Sequence, residues 1–284
     1  MELKTGILKK NKISSMALLK KGNLASGCSD ATIKIWDLNT GTLKTNLSGH
    51  KDNIWALELL STGDLASGSS DKTIKIWNLN GYKLKRTLTG HTDWVLVLKS
   101  LANGYLASGS ADTTIKIWNL DKGELVKTLF GHSDYVKALG VLKNGNLVSG
   151  SYDGTIKTWN ISKGSLLKTT FVNVRVSAFL LLKNGDLVVG SLEGRIFLYN
   201  FDFNLLFKFK YETGYIWSLA LLENGDVVSG SEDKHIKIWN LTFGVDKLSI
   251  NEHSERVNAL VVNENGNIIS GSDDGTIKIW AVHT

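Results

Sequence analysis

The sequence predicts an all-β chain made of seven copies of one four-stranded unit. Three observations predict it. A segment of fixed pattern recurs seven times, turn residues fall at fixed places within each copy, and no stretch shows a recognisable helix. Leu24 to Leu38 reads LASGCSDATIKIWDL, and Leu65 to Leu79 reads LASGSSDKTIKIWNL. The pattern returns at Leu106, Leu147, Leu187, Val227 and Ile268. Its marker aromatics are Trp36, Trp77, Trp118, Trp159, Tyr199, Trp239 and Trp280, separated by 41, 41, 41, 40, 40 and 41 residues. A period of this size is the mark of a repeat architecture.

Each copy reads as short strands. In the second copy they are Ile54 to Leu60, Asp64 to Ser69, Thr73 to Trp77 and Lys83 to Leu88, rich in β-branched or aromatic residues. Turn residues separate them: Thr62-Gly63-Asp64, Ser70-Asp71-Lys72 and Asn80-Gly81. Five copies place Asn-Gly at the first break (Asn103, Asn144, Asn184, Asn224 and Asn265 lead the pairs), which is expected to supply positive φ angles for a tight hairpin. A lone four-stranded meander cannot bury both faces. Seven stacked radially can, and their exposed edges stay short. The expected architecture is therefore a seven-bladed β-propeller forming one domain over residues 1–284. The seventh copy ends its third strand near Trp280, leaving only Ala281 to Thr284. At the other end, Glu2-Leu3-Lys4-Thr5 resembles the fourth-strand segment Thr42-Leu43-Lys44-Thr45. The N-terminal strand is expected to complete the last blade.

Composition is that of an ordinary globular chain, with 42% apolar residues and 21% charge. The net charge of +6 comes from lysines that recur with the repeat, so it reads as a solvated surface with some attraction for acidic partners. The single cysteine, Cys28, excludes an intrachain disulfide and fits a reducing compartment. No apolar run approaches the roughly 20 residues of a membrane span. The basic N-terminus lacks the apolar core of a secretory signal. A soluble intracellular protein is expected, cytoplasmic first and nuclear second, with no membrane partner.

The copies resemble WD-repeat propellers. The likeness rests on Gly-His before the first strand (Gly49-His50, Gly90-His91, Gly131-His132), on Ser-Gly-Ser-x-Asp between the second and third, and on Trp-Asp or Trp-Asn ending the third. His253 follows Glu252 rather than Gly, and the literal Trp-Asp occurs once, at Trp36-Asp37. Seven-bladed members commonly close their ring with the N-terminal strand. The resemblance implies a structural hydrogen-bond network inside each blade: His50, Ser67, Asp71 and Trp77; His91, Ser108, Asp112 and Trp118; His132, Ser149, Asp153 and Trp159; and His253, Ser270, Asp274 and Trp280. The same side chains could be misread as a Ser-His-Asp nucleophile. An enzyme needs one active site, however, not four at a fixed period, so no catalytic residue and no enzyme activity are expected. The network is incomplete where Lys9 and Glu212 align with the histidine. It is absent from copy five, which has Val172, Val189, Glu193 and Tyr199, so that blade is expected to be the softest and held by packing alone. The histidines lack metal-ligand spacing, and no helix follows the Ser-Gly-Ser glycines to make a phosphate loop. Neither metal nor other cofactor is expected.

If the repeats are scaffold, function lies where they differ. In the family the partner docks around the central channel, on positions flanking the first β-branched residue of each blade's first strand or just before the turn acid. Here those positions are Lys12, Ser14, Ser29, Asn53, Trp55, Ser70, Trp94, Leu96, Ala111, Tyr135, Lys137, Tyr152, Arg175, Ser177, Leu192, Tyr215, Trp217, Glu232, Arg256, Asn258 and Asp273. All three tryptophans outside the repeat markers, Trp55, Trp94 and Trp217, fall on this rim. Tyr135, Tyr152, Tyr215, Lys137, Arg175 and Arg256 join them as the expected partner-binding set, since aromatics with Arg make binding hot spots. The competing reading for Trp55 and Trp217 is simple strand packing. The expected function is a protein–protein interaction scaffold or adaptor that binds a peptide or protein, possibly acidic, as a monomer or as a subunit of a hetero-complex. A substrate-recognition subunit of a larger ubiquitin-ligase or signalling complex is the alternative. The arginine-rich pattern of phosphopeptide readers is missing, and nucleic acid is the less favoured partner.

Overall fold

Short β-branched runs broken by glycine turns fold as the repeat demands. A computed structural model of the chain describes residues 2–8, 11–209 and 214–281. Lys9 and Glu212, aligned above with the network histidine, lie outside the described residues. Seven antiparallel sheets form, each of four strands. Blade two shows the plan, with strands Ile54–Leu59, Leu65–Ser69, Ile74–Asn78 and Lys83–Leu88 hydrogen-bonded in chain order. We call them A to D from the hub outwards. Several ends differ by one residue from the sequence expectation. Thr73, for instance, belongs to the turn, where its amide and hydroxyl both donate to Asp71 Oδ1.

The A–B turns correct the Asn-Gly expectation. Gly145, Gly185, Gly225 and Gly266 take φ between 72° and 100°, while the preceding asparagines stay at negative φ. In blade four the Gly145 amide donates to the Leu142 carbonyl and the Leu142 amide to Asn146. This is a three-residue loop, a type I turn followed by a left-handed glycine, so only the second residue of the pair needs a positive φ. The expectation of no helix is also amended, by one 3₁₀ turn at Ala102–Gly104 in blade three.

The seven A strands line the hub: Ile13–Leu19, Ile54–Leu59, Val95–Ser100, Val136–Val141, Val176–Leu181, Ile216–Leu221 and Val257–Val262. Each contacts the next, and the last contacts the first, closing the ring. A strand pairing and a shared core help weld the seam. The N-terminal strand Glu2–Leu8 pairs antiparallel with Thr276–Ala281, with Gly6 opposite Lys278, and so supplies the outer strand of blade seven. Beside it, Ile13, Leu24 and Trp36 of blade one share an apolar core with Ala259, Ile269 and Ile277 of blade seven.

The B strands carry a second, unforeseen constraint. Each holds one glycine, and a Cβ built there would meet the β-branched residue that opens strand A of the following blade. The gap would be 2.6 Å for Gly68 and Val95, 2.7 Å for Gly109 and Val136, 2.5 Å for Gly150 and Val176, and 2.7 Å for Gly271 and Ile13 across the seam. These glycines are holes into which the next blade's branched methyls fit. The B strands are buried apart from Asn23 and Tyr105 at the starts of two of them, and each fully buried Val or Ile contributes about 1.5–3 kcal/mol.

Deleting residues 1–8 removes the outer strand of blade seven and exposes the edge Thr276–Ala281. The expected outcome is a fall in Tm of about 5–10 °C in a thermal scan. An unchanged Tm would show that the seam is held without this strand.

Candidate binding site

Beneath the rim, four blades carry the same chain of hydrogen bonds. In blade two the indole of Trp77 donates to Ser67 Oγ at 2.8 Å, Ser67 Oγ lies 2.7 Å from His50 Nε2, and His50 Nδ1 lies 2.7 Å from Asp71 Oδ2. With the Nδ1 proton directed to the carboxylate, Ser67 must donate to Nε2, and each atom in the chain has a partner. Blades three, four and seven repeat the bonds around His91, His132 and His253 with distances between 2.7 and 2.9 Å. The constellation imitates a catalytic triad, but Ser67, Ser108, Ser149 and Ser270 have no exposed surface. No substrate can reach those hydroxyls. What the chain does instead is join strands B and C to the D–A loop of one blade, as a satisfied polar network can.

Blade one retains Trp36 on Ser26 at 3.0 Å, while Asp30 turns to Lys34 at 2.7 Å. Blade six retains Trp239 on Ser229 at 2.8 Å. Blade five is corrected: packing is not its only tie. Glu193, one methylene longer than Asp, reaches the Arg175 amide at 3.1 Å and its guanidinium Nε at 3.0 Å. Its interior is apolar, with Val189, Phe197 and Tyr199 buried together.

Burial alone would raise the Asp71 carboxyl, but bonds from Thr73, the Lys51 amide and His50 bring it down to about 2. Asp112, Asp153 and Asp274 are likewise buried, yet their His and Thr donors hold them well below the usual carboxylate range. Burial lowers the His50 imidazole, with Asp71 opposing.

On the rim, the residues flanking the hub-facing branched methyls come together as aromatic pairs. Trp55 of blade two stacks on Trp94 of blade three, with ring centroids 6.1 Å apart. Tyr135 stacks on Tyr152 at 5.6 Å, and Tyr215 meets the edge of Trp217 at 6.0 Å. Trp94 and Tyr215 are 40% and 42% exposed, while Trp55 and Trp217 are half-buried. Polar partners hold the indole N–H groups of the latter two: Ser70 at 2.7 Å for Trp55, and Glu232 at 2.6 Å for Trp217. Arg256 lies 5.3 Å from the Trp217 ring centre and Lys137 5.2 Å from that of Trp55. Leu96, Ala111 and Leu192, also at rim positions, are buried, and of the three Leu96 lines the channel mouth. The seven A strands enclose a channel-mouth cavity of about 230 Å³, lined by Trp55, Lys137, Trp217 and Asn258 among others.

The rim also holds carboxylates that sequence reading paired with nothing. Asp273 takes Arg256 at 2.8 Å, Lys12 at 3.2 Å and the Asn258 amide at 2.7 Å. Asn258 also donates to the Ile13 carbonyl at 2.8 Å, tying the seam at the rim. Burial, with Arg256 adding repulsion, pushes the Lys137 ammonium down to about 8. Among the described residues, no group of three His, Cys, Asp or Glu side chains is placed to hold a metal ion. No described helix is long and apolar enough to cross a membrane.

This arrangement defines a repeat propeller with polar chains inside its blades and an aromatic hub face. Six segments match the family model for the WD domain, G-beta repeat: residues 4–37, 41–78, 82–119, 123–160, 203–240 and 244–281. The chain belongs to the WD-repeat family. The stretch between matches, after residue 160 and before 203, holds most of blade five, where the marker residues depart. Propellers of this family commonly serve as interaction scaffolds, typically bind proteins or peptides, and are typically non-enzymatic. A comparison with curated proteins returned no match.

Ser108→Ala strands the Trp118 N–H and leaves His91 Nε2 without its donor. It is expected to cost about 1–3 kcal/mol in urea unfolding, and a loss near zero would show that the network contributes no stability. Stability should also fall on acidification. The unfolded chain binds a proton at each lowered group before the native chain does, so the loss starts below the ordinary histidine value of 6.5 through His50. It should steepen as pH falls from near 4 towards the Asp71 value of about 2. Tm measured across pH 7 to 3 reads this directly, and a flat profile would contradict it.

Proposed function

We propose that this propeller is a protein-interaction scaffold whose partner, a peptide or a protein segment, docks on the aromatic rim of the channel. One observation carries the reading. The three tryptophans outside the repeat markers all stand on one face, paired with other aromatics, and each keeps accessible surface. Rings held by stacking and by indole hydrogen bonds lose little freedom on binding, which is what a hot spot requires. The positive rim favours a partner with acidic character. We take the protein to act without catalysis, as a monomer or one subunit of a hetero-complex, in the cytoplasm or nucleus. The buried serines support a non-catalytic role, since each of the four described triad-like sets is closed to substrate.

The test compares proteins co-purifying with the wild type and with the double variant Trp94→Ala, Trp217→Ala. Loss of two anchors should weaken specific partners more than tenfold, since hot-spot truncations cost about 2 kcal/mol or more each. Circular dichroism must show the variant folded. Unchanged partner recovery would reject the rim as the docking face. Salt-dependent retention on single-stranded DNA or heparin would instead favour nucleic acid.

A further inference from the structure

Charges on the innermost ring of positions do not balance. Four cations stand there, Lys12, Lys137, Arg175 and Arg256, with two carboxylates, Glu232 and Asp273, and the turn acid of blade five, Glu193, reaches in from the next position. Arg175 is taken by Glu193 at 3.0 Å. Arg256 lies between Asp273 at 2.8 Å and Glu232 at 3.7 Å, and Lys12 joins Asp273 at 3.2 Å. Among the described residues no carboxylate pairs with Lys137. Its ammonium faces the Trp55 ring at 5.2 Å and lines the channel mouth. Asp52, Asp93 and Asp134 sit one position further out, and each binds the amide of the next residue.

A half-buried ammonium against a ring face, with no described carboxylate beside it, is poorly compensated, so an incoming anion gains more there than at a solvated lysine. The unmatched charge is one, and both arginines are already engaged. The vacancy therefore suits a single carboxylate rather than a phosphate dianion, which two-pronged guanidinium contacts would favour. Beside it lies the Trp55–Trp94 stack, with Trp94 open to solvent.

On the reading of the rim as a peptide platform, we propose that Lys137 seats one carboxylate of the partner, while an adjacent apolar residue lies on the Trp55–Trp94 pair. The carboxylate is an Asp or Glu side chain or a chain terminus. Its neighbour is aromatic or a large aliphatic, because the stacked indoles offer a flat apolar surface.

Random peptides displayed on phage are selected on the wild-type protein, and the winners are synthesised for calorimetry. Each is made with a free or amidated terminus, with its acids changed to amides, and with phosphoserine in place of the acid. Winners are expected to carry a carboxylate beside an apolar residue. Neutralising that carboxylate should cost roughly tenfold in affinity, as should Lys137→Met, and both together no more than either alone. The peptide series and Lys137→Gln read the same contact should Lys137→Met disturb folding. Phosphoserine should bind no tighter than the acid. Winners lost with Trp94→Ala and Trp217→Ala but indifferent to carboxylate neutralisation would overturn the seat and leave the platform standing. A phosphopeptide binding tenfold tighter would overturn the single-charge match. Winners indifferent to the rim variants, or no winners at all, would overturn the platform and the seat with it.

Discussion

The close approach of one blade to the next at the hub sets everything built above it. In each B strand a glycine leaves a hole, and the next blade's first branched residue fills it. The contact recurs at Gly27 with Ile54, Gly190 with Ile216 and Gly230 with Val257, where an added Cβ would meet a branched methyl at 2.6 to 2.8 Å. Any larger side chain would wedge the blades apart, and because the ring is closed the wedge could not be absorbed at a free end. The rim side chains immediately flank these branched residues. Trp94 precedes Val95, and Trp55 follows Ile54. Blade spacing at the hub therefore also fixes the spacing of the rim aromatics.

That spacing gives the rim its order. Trp55 and Trp94 come from different blades and meet only because the blades are held close. Ser70 and Glu232 then fix the two half-buried indoles by their N–H groups. A face arranged in advance loses less entropy when it binds, so small exposed areas can hold a partner firmly. The charges follow the same logic. Asp273 gathers Arg256, Lys12 and Asn258 into one cluster at the seam, while in blade four Lys137 faces the Trp55 ring and, among the described residues, pairs with no carboxylate.

Much of this was legible in the sequence, for a physical reason. A period of about 41 residues with four short strands admits few ways to bury both sheet faces, so blade number, strand order and closure by Glu2–Leu8 could all be read. The Trp-Ser-His-Asp chains could be read too, because their members recur at constant offsets. What could not be read depends on side-chain reach or on contacts across blades. Glu193 looked like a lost Asp until its extra methylene brought it to Arg175. Asn258 meets the carbonyl of Ile13 over 245 residues of chain. The glycine holes left a signal that was passed over: a glycine at the same place in every copy, with a Val or Ile opening every A strand.

The pairing of the first strand with the last also sets a schedule for synthesis. Once Glu2–Leu8 has left the ribosome, its partner Thr276–Ala281 follows only after about 270 further residues. At translation speeds of roughly 5–20 residues per second, that strand waits on the order of a quarter to a full minute without its partner. Until then six blades can assemble in order while Glu2–Leu8 remains unpaired. The last blade acts as the clasp that turns a growing arc into a finished circle.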